Sequence, residues 1–125
     1  MLSFPVTLVA GQPPFRQVVY AATRAIVSGQ LAAGASFPSV RDISQSLKIN
    51  PNTAHKVVLE LTRMGLLEVR PGVGTVVAPP VQSSPQTRAA LLADQTEALV
   101  VEAMRLGLTR DELLDALRRQ WDALS

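Results

Sequence analysis

At 125 residues, 47% of them hydrophobic, the chain can bury one real core and carry a small appendage beside it, which excludes a disordered chain. Zero cysteines exclude disulfides and thiolate metal sites, and a single histidine argues against a histidine metal cluster or a catalytic triad, so neither enzyme activity nor a cofactor is expected. The net charge of +2 is unevenly spread: residues 1–80 hold seven basic against three acidic side chains and residues 81–125 five against seven, so a polyanion should prefer the first part.

Phe15, Val18, Val19, Ala22 and Ile26 recur at helical spacing from Pro14, and Gly29 supplies a C-terminal stop. Leu31 to Gly34 then turns toward Phe37, which is expected on a very short strand. Ser39-Val40-Arg41-Asp42 is a capping box, in which hydroxyl and carboxylate satisfy orphan backbone donors reciprocally, so a second helix should open at Ser39. Its apolar face is Val40, Ile43 and Leu47, with Ile49 closing the turn behind them. Asn50 is a favoured N-cap, and Pro51 at the first helical position loses no needed N–H, so a third helix follows. It should turn Ala54, Val57, Val58, Leu61 and Met64 inward and end at Gly65. Polar Asn52, Thr53, His55 and Lys56 crowd its opening turns, where a recognition helix meets DNA. Leu66 to Arg70 and Thr75 to Ala78 read as strands joined by Pro71-Gly72-Val73-Gly74. The order from Phe37 to Val77 is that of a winged helix-turn-helix.

Pro79 to Pro85 cannot continue a helix or a central strand, and mark a linker. Beyond it, Thr87 to Leu106 is helical in pattern, with Leu91, Leu92, Leu99 and Leu106 on it and Gly107 ending it. Thr109-Arg110-Asp111-Glu112 is a second capping box, opening a last helix with Leu113, Leu114, Leu117, Trp121 and Leu124 on one side. A hairpin of that size is too thin to bury its own apolar faces, so a second copy of the chain is their expected partner. The fold class expected is therefore mainly α with a small β-hairpin. Residues 1–79 form a winged helix-turn-helix domain, 80–86 a linker and 87–125 a two-helix dimerisation element resting on Leu99, Leu113, Leu117 and Trp121. No run approaches the roughly 18 apolar residues of a membrane span, and the N-terminus lacks signal-peptide character, so no membrane association and a cytoplasmic location are expected.

Phe37-Pro38-Ser39-Val40-Arg41-Asp42-Ile43, Asn50-Pro51-Asn52-Thr53-Ala54, Gly65-Leu66-Leu67 and Gly72-Val73-Gly74-Thr75 together resemble the GntR family of bacterial transcription regulators. Within it the chain is similar to the short YtrA-type branch, whose C-terminal part is a two-helix dimerisation element in place of a large effector-binding domain. Phe4 to Leu8 followed by Pro13-Pro14-Phe15-Arg16-Gln17 also resembles that branch's lead into helix one. The resemblance implies DNA contacts from Arg41 and the Ser39 that opens its helix, from Asn50, Asn52, Thr53, His55 and Lys56, and from the wing glycines, Gly72 to Gly74. His55 stands where many relatives carry a longer polar or basic side chain.

The reading is a homodimeric DNA-binding regulator, a repressor on a double-stranded operator of two-fold symmetry. Phosphate contact suits Arg41 and Lys56, while the short amide and hydroxyl of Asn52 and Thr53 can reach adenine edges or phosphates. A small hydrolase built on His55 lacks a converging nucleophile or carboxylate pair. A winged-helix protein-interaction module is the alternative, against which the basic Arg41 and Lys56 argue. The operator, the regulated genes and any small-molecule effector are not specified by the sequence, and the C-terminal hairpin offers little room for a typical ligand cavity of roughly 300 Å³ or more.

Overall fold

The computed structural model describes residues 2–80 and 82–125, and the chain divides into two compact units, Met1–Pro80 and Val81–Ser125. In the first, three helices follow the predicted order: α1 (Pro14–Val27), α2 (Val40–Leu47) and α3 (Pro51–Arg63). Their boundaries follow from local chemistry. Pro14 starts α1 with its φ already helical, and Gly29 takes a φ of 83° just past the end. Both halves of the Ser39 capping box form at α2, and the Asn50 side chain caps α3.

Val18 and Ala22 of α1, Ile43 of α2 and Ala54, Val57 and Leu61 of α3 are fully buried and converge in one core. Each large side chain here contributes about 1.5–3 kcal/mol by leaving water. Phe4 reaches the same core from the N-terminal segment and stacks on Phe37, with ring centroids 5.5 Å apart. Alternate residues of that segment, Leu2, Val6 and Leu8, pack behind it. One expectation fails: Met64 is exposed. Helix α3 ends at Arg63 and Met64 is its C-cap, so the chain turns away before the helical period can carry that side chain inward.

The hairpin pairs β1 (Leu67–Arg70) with β2 (Gly74–Val77) antiparallel, in the register Leu67 to Val77 through Arg70 to Gly74. Leu67 and Val77 face each other and are buried, which locks the wing to the helices. The short strand expected at Phe37 takes the form of a bridge between Ser36 and Val76. The Phe37 N–H donates to the Thr75 carbonyl at 2.9 Å, and the Val77 N–H to that of Ala35 at 2.9 Å.

In the second unit the helix starts at Pro85, earlier than its alanine-rich pattern suggests and inside the stretch expected as linker. Proline cannot continue a helix but suits its first position, and the Ser84 hydroxyl supplies the cap by accepting the Thr87 N–H. This α4 (Pro85–Ala90) widens into one π-helical turn, Leu91–Gln95, before α5 (Thr96–Arg105). The Thr96 hydroxyl donates to the Leu91 carbonyl at 3.2 Å across that turn. Thr109 and Glu112 complete their capping box at the head of α6 (Arg110–Leu124). Among the described residues no helix is long and apolar enough to cross a membrane.

Candidate nucleic-acid interface

The Ser39 hydroxyl accepts the Asp42 N–H at 3.0 Å, and the Asp42 carboxylate accepts the Ser39 N–H at 3.3 Å. Two consequences follow. The hydroxyl of Ser39 is committed to the helix start, and the charge of Asp42 is drawn onto that start rather than onto Arg41, which stands exposed in the first turn of α2. The buried Ser44 hydroxyl donates to the Arg41 carbonyl at 3.0 Å, so the backbone beneath the guanidinium is held.

At the next helix the Asn50 Oδ1 accepts the Asn52 N–H at 2.8 Å, and Asn50 itself is exposed at the helix mouth. Asn52, His55 and Lys56 lie three and four positions apart, on the side of α3 opposite to the buried Ala54, Val57 and Leu61, and all three are exposed. Thr53 is half-buried at the margin of that face. The stripe continues with a residue that the polar pattern does not flag, the exposed Leu59. An open cleft of about 470 Å³ runs beside it, bringing Thr53 and Lys56 together with Leu59, Glu60 and Arg63 and with Phe15 of α1. Phe15 reads as a core residue by its periodicity; the spacing of Leu59 from Asn52 and Lys56 is the signal that places it on this face.

The charges of the unit are sorted by partner. Glu60 pairs with Arg63 one turn later, and Glu68 with Arg70 at 2.8 Å. The hydrogen bond from Arg63 holds the Glu60 carboxyl below the usual carboxylate range, and the same bond raises the Arg63 guanidinium. With Asp42 engaged in its cap, every acidic side chain of residues 1–80 has a local task. Arg16, Arg24, Arg41, Lys48 and Lys56 form no ion pair among the described residues. The positive excess of this unit is therefore carried by uncompensated side chains, including the two on the α2 and α3 starts.

At the hairpin tip the Val73 N–H donates to the Arg70 carbonyl at 3.0 Å, closing a turn with Pro71 at its second position and Gly72, φ 77°, at its third. Glycine is required there because an L side chain resists positive φ in such a turn. Gly74 opens β2 with φ 110°. Both glycines are exposed, as is Val73 between them. Of the residues read as an intersubunit surface, Leu99, Leu117 and Trp121 are exposed, Trp121 76% so, while Leu113 is half-buried.

A family model described as bacterial regulatory proteins of the gntR family matches residues 15–77. Bacillus subtilis YhcF, described as an uncharacterized HTH-type transcriptional regulator, is 29% identical over 109 residues, which are 87% of this chain and 90% of YhcF. The Bacillus subtilis HTH-type transcriptional repressor YtrA is 26% identical over 102 residues, 81% of this chain and 78% of YtrA. Among solved structures, a transcriptional antiterminator from Listeria monocytogenes EGD-e shares the fold over 97% of this chain and 91% of its own, with a TM-score of 0.80 at 24% identity. The DNA-binding domain of AraR, solved in complex with operator ORR3, aligns with 59% of this chain and 89% of its own length, with a TM-score of 0.50 and 26% identity.

Proposed function

The chain belongs to the gntR family of bacterial regulatory proteins, and from that premise we propose that it is a sequence-specific repressor acting as a homodimer on a two-fold operator. Its similarity to YhcF and YtrA runs through most of all three chains, in keeping with the short YtrA-type branch. One observation carries the reading: the exposed polar face at the start of α3, flanked by cations that no carboxylate neutralises. In a winged helix-turn-helix, the α3 N-terminus enters the major groove and residues around the other helix start hold the phosphates. Arg41 and Lys56 then take phosphates. Asn52 and His55 face base edges, with Asn50 and Thr53 at the groove entrance and Ser39 setting the α2 start that presents Arg41. The exposed backbone at Gly72 and Gly74 approaches the neighbouring sugar-phosphate wall, since no side chain keeps it away.

Residues 1–79 do the binding in this reading, 80–86 connect, and 87–125 join two chains. Support for the last step is the exposed apolar set Leu99, Leu117 and Trp121, which a lone chain leaves in water. Two copies related by a two-fold axis would set two α3 helices on one side of B-DNA about 34 Å apart, or a multiple of that. Titration of duplex DNA at several salt concentrations tests the binding step: affinity falling steeply with salt supports it, and salt-independent or undetectable binding contradicts it.

A further inference from the structure

Residues of the N-terminal segment and of α1 together line an open cleft of about 410 Å³. Its chemistry is uneven. Val6 and Val9 line it from the segment, Gln12 and Gln30 stand among its polar side chains, and Tyr20 and Arg24 come from α1. No acidic side chain lines it, and Arg24 has no ion-pair partner among the described residues. Tyr20 is 70% exposed. The cleft has a braced wall as well: the Val9 N–H donates to Gln17 Oε1 at 2.6 Å, while Gln17 Nε2 donates to the carbonyls of Val9 and Gln12, both at 3.2 Å. One carboxamide thus ties the loop before α1 to the helix.

We propose that this cleft binds a small aromatic carboxylate. An arginine with no ion-pair partner among the described residues, lining a site free of carboxylates, suits an anion and can offer a planar fork that matches a carboxylate. A single cation with no second positive group in the lining suits a monoanion rather than a phosphate dianion. The exposed tyrosine face gives an aromatic body a stacking surface, Val6 and Val9 cover its edge, and the amides of Gln12 and Gln30 can take hydroxyl or carbonyl substituents. The volume lies within the range of small-molecule sites, about 300–1,000 Å³.

The test is titration of the full, isotope-labelled chain with benzoate, with salicylate and with the neutral benzyl alcohol, followed by amide NMR shifts. DNA is absent, so the outcome is independent of the DNA-binding reading. Saturable shifts centred on residues 5–12 and 20–24 are expected with the two carboxylates, and much weaker ones with benzyl alcohol. Arg24→Gln should lower the affinity about tenfold or more, as loss of a charge-assisted hydrogen bond does. Arg24→Lys should retain part of it, and Arg16→Gln, on the same helix outside the cleft, should leave it unchanged. The proposal is overturned if millimolar carboxylate produces no saturable shift, if benzyl alcohol binds equally well, or if Arg16→Gln weakens binding as much as Arg24→Gln.

Discussion

Replacing Lys56 by alanine should flatten the salt dependence of DNA binding by a predictable amount. Lys56 is exposed on the α3 face and forms no ion pair among the described residues, so its whole charge is available to a phosphate. Removing one cation from a phosphate lowers the slope of log affinity against log salt by about 0.9. In a symmetric dimer the substitution acts once in each half-site, so the slope should fall by about 1.8. Over a fourfold rise in salt that difference compounds to about twelvefold: the wild type loses about twelve times more affinity than the variant across the same range. Arg41→Ala should behave alike. Arg63→Ala is the control, because Arg63 already pairs with Glu60, and its slope should stay near that of the wild type. Fluorescence anisotropy on one labelled duplex at four or five salt concentrations gives all the slopes. An unchanged slope for both Lys56→Ala and Arg41→Ala, or an equal drop for Arg63→Ala, refutes the assignment of phosphates to uncompensated cations.

Asn52→Ala and His55→Ala should change which sequences are bound rather than the salt slope, the removal of each bidentate pair costing about 1–3 kcal/mol at its base; competition between duplexes differing at single positions measures this, and unchanged preferences rule out base reading by these side chains. Ser39→Ala removes the hydroxyl that accepts the Asp42 N–H and should lower stability by about 1 kcal/mol, read as a drop in the urea midpoint followed by circular dichroism; a midpoint equal to wild type means the cap contributes nothing. A Leu117→Asp, Trp121→Ala double variant places a charge on the exposed apolar side of α6 and should sediment as a monomer with a folded first unit. Retained dimerisation in the ultracentrifuge would move the interface away from that helix.

Most features set by residues within one helical turn of each other were readable in advance; the Ser84 cap, whose hydroxyl accepts the Thr87 N–H, was not, because Pro79 to Pro85 reads as a linker. The caps at Ser39, Asn50 and Thr109 form as the residue types dictate, because hydroxyl, amide and carboxylate find their donors two or three residues away. Features set by distant contacts or by backbone strain were not. Phe4 is buried because it stacks on Phe37, a partner 33 positions along the chain that no local period reveals. Lys48 takes a left-handed φ of 55° where α2 ends, without a glycine to announce it; its own N–H and that of Ile49 both donate to the Ser44 carbonyl and hold it there. The π turn at Leu91–Gln95 has no compositional signature either. For the candidate interface, the exposed positions on α2 and α3 followed from helical spacing, whereas which cations stand unpaired follows from side-chain geometry, as the capture of Arg63 by Glu60 illustrates.

Selection of bound sequences from a random duplex pool by the full-length protein tests the central claim most directly. Enrichment of one motif is expected, with two inverted half-sites whose centres lie about 34 Å apart or a multiple of that distance. Failure to enrich any motif, or enrichment of a single site without two-fold symmetry, would contradict a dimeric repressor that reads DNA with the starts of two α3 helices.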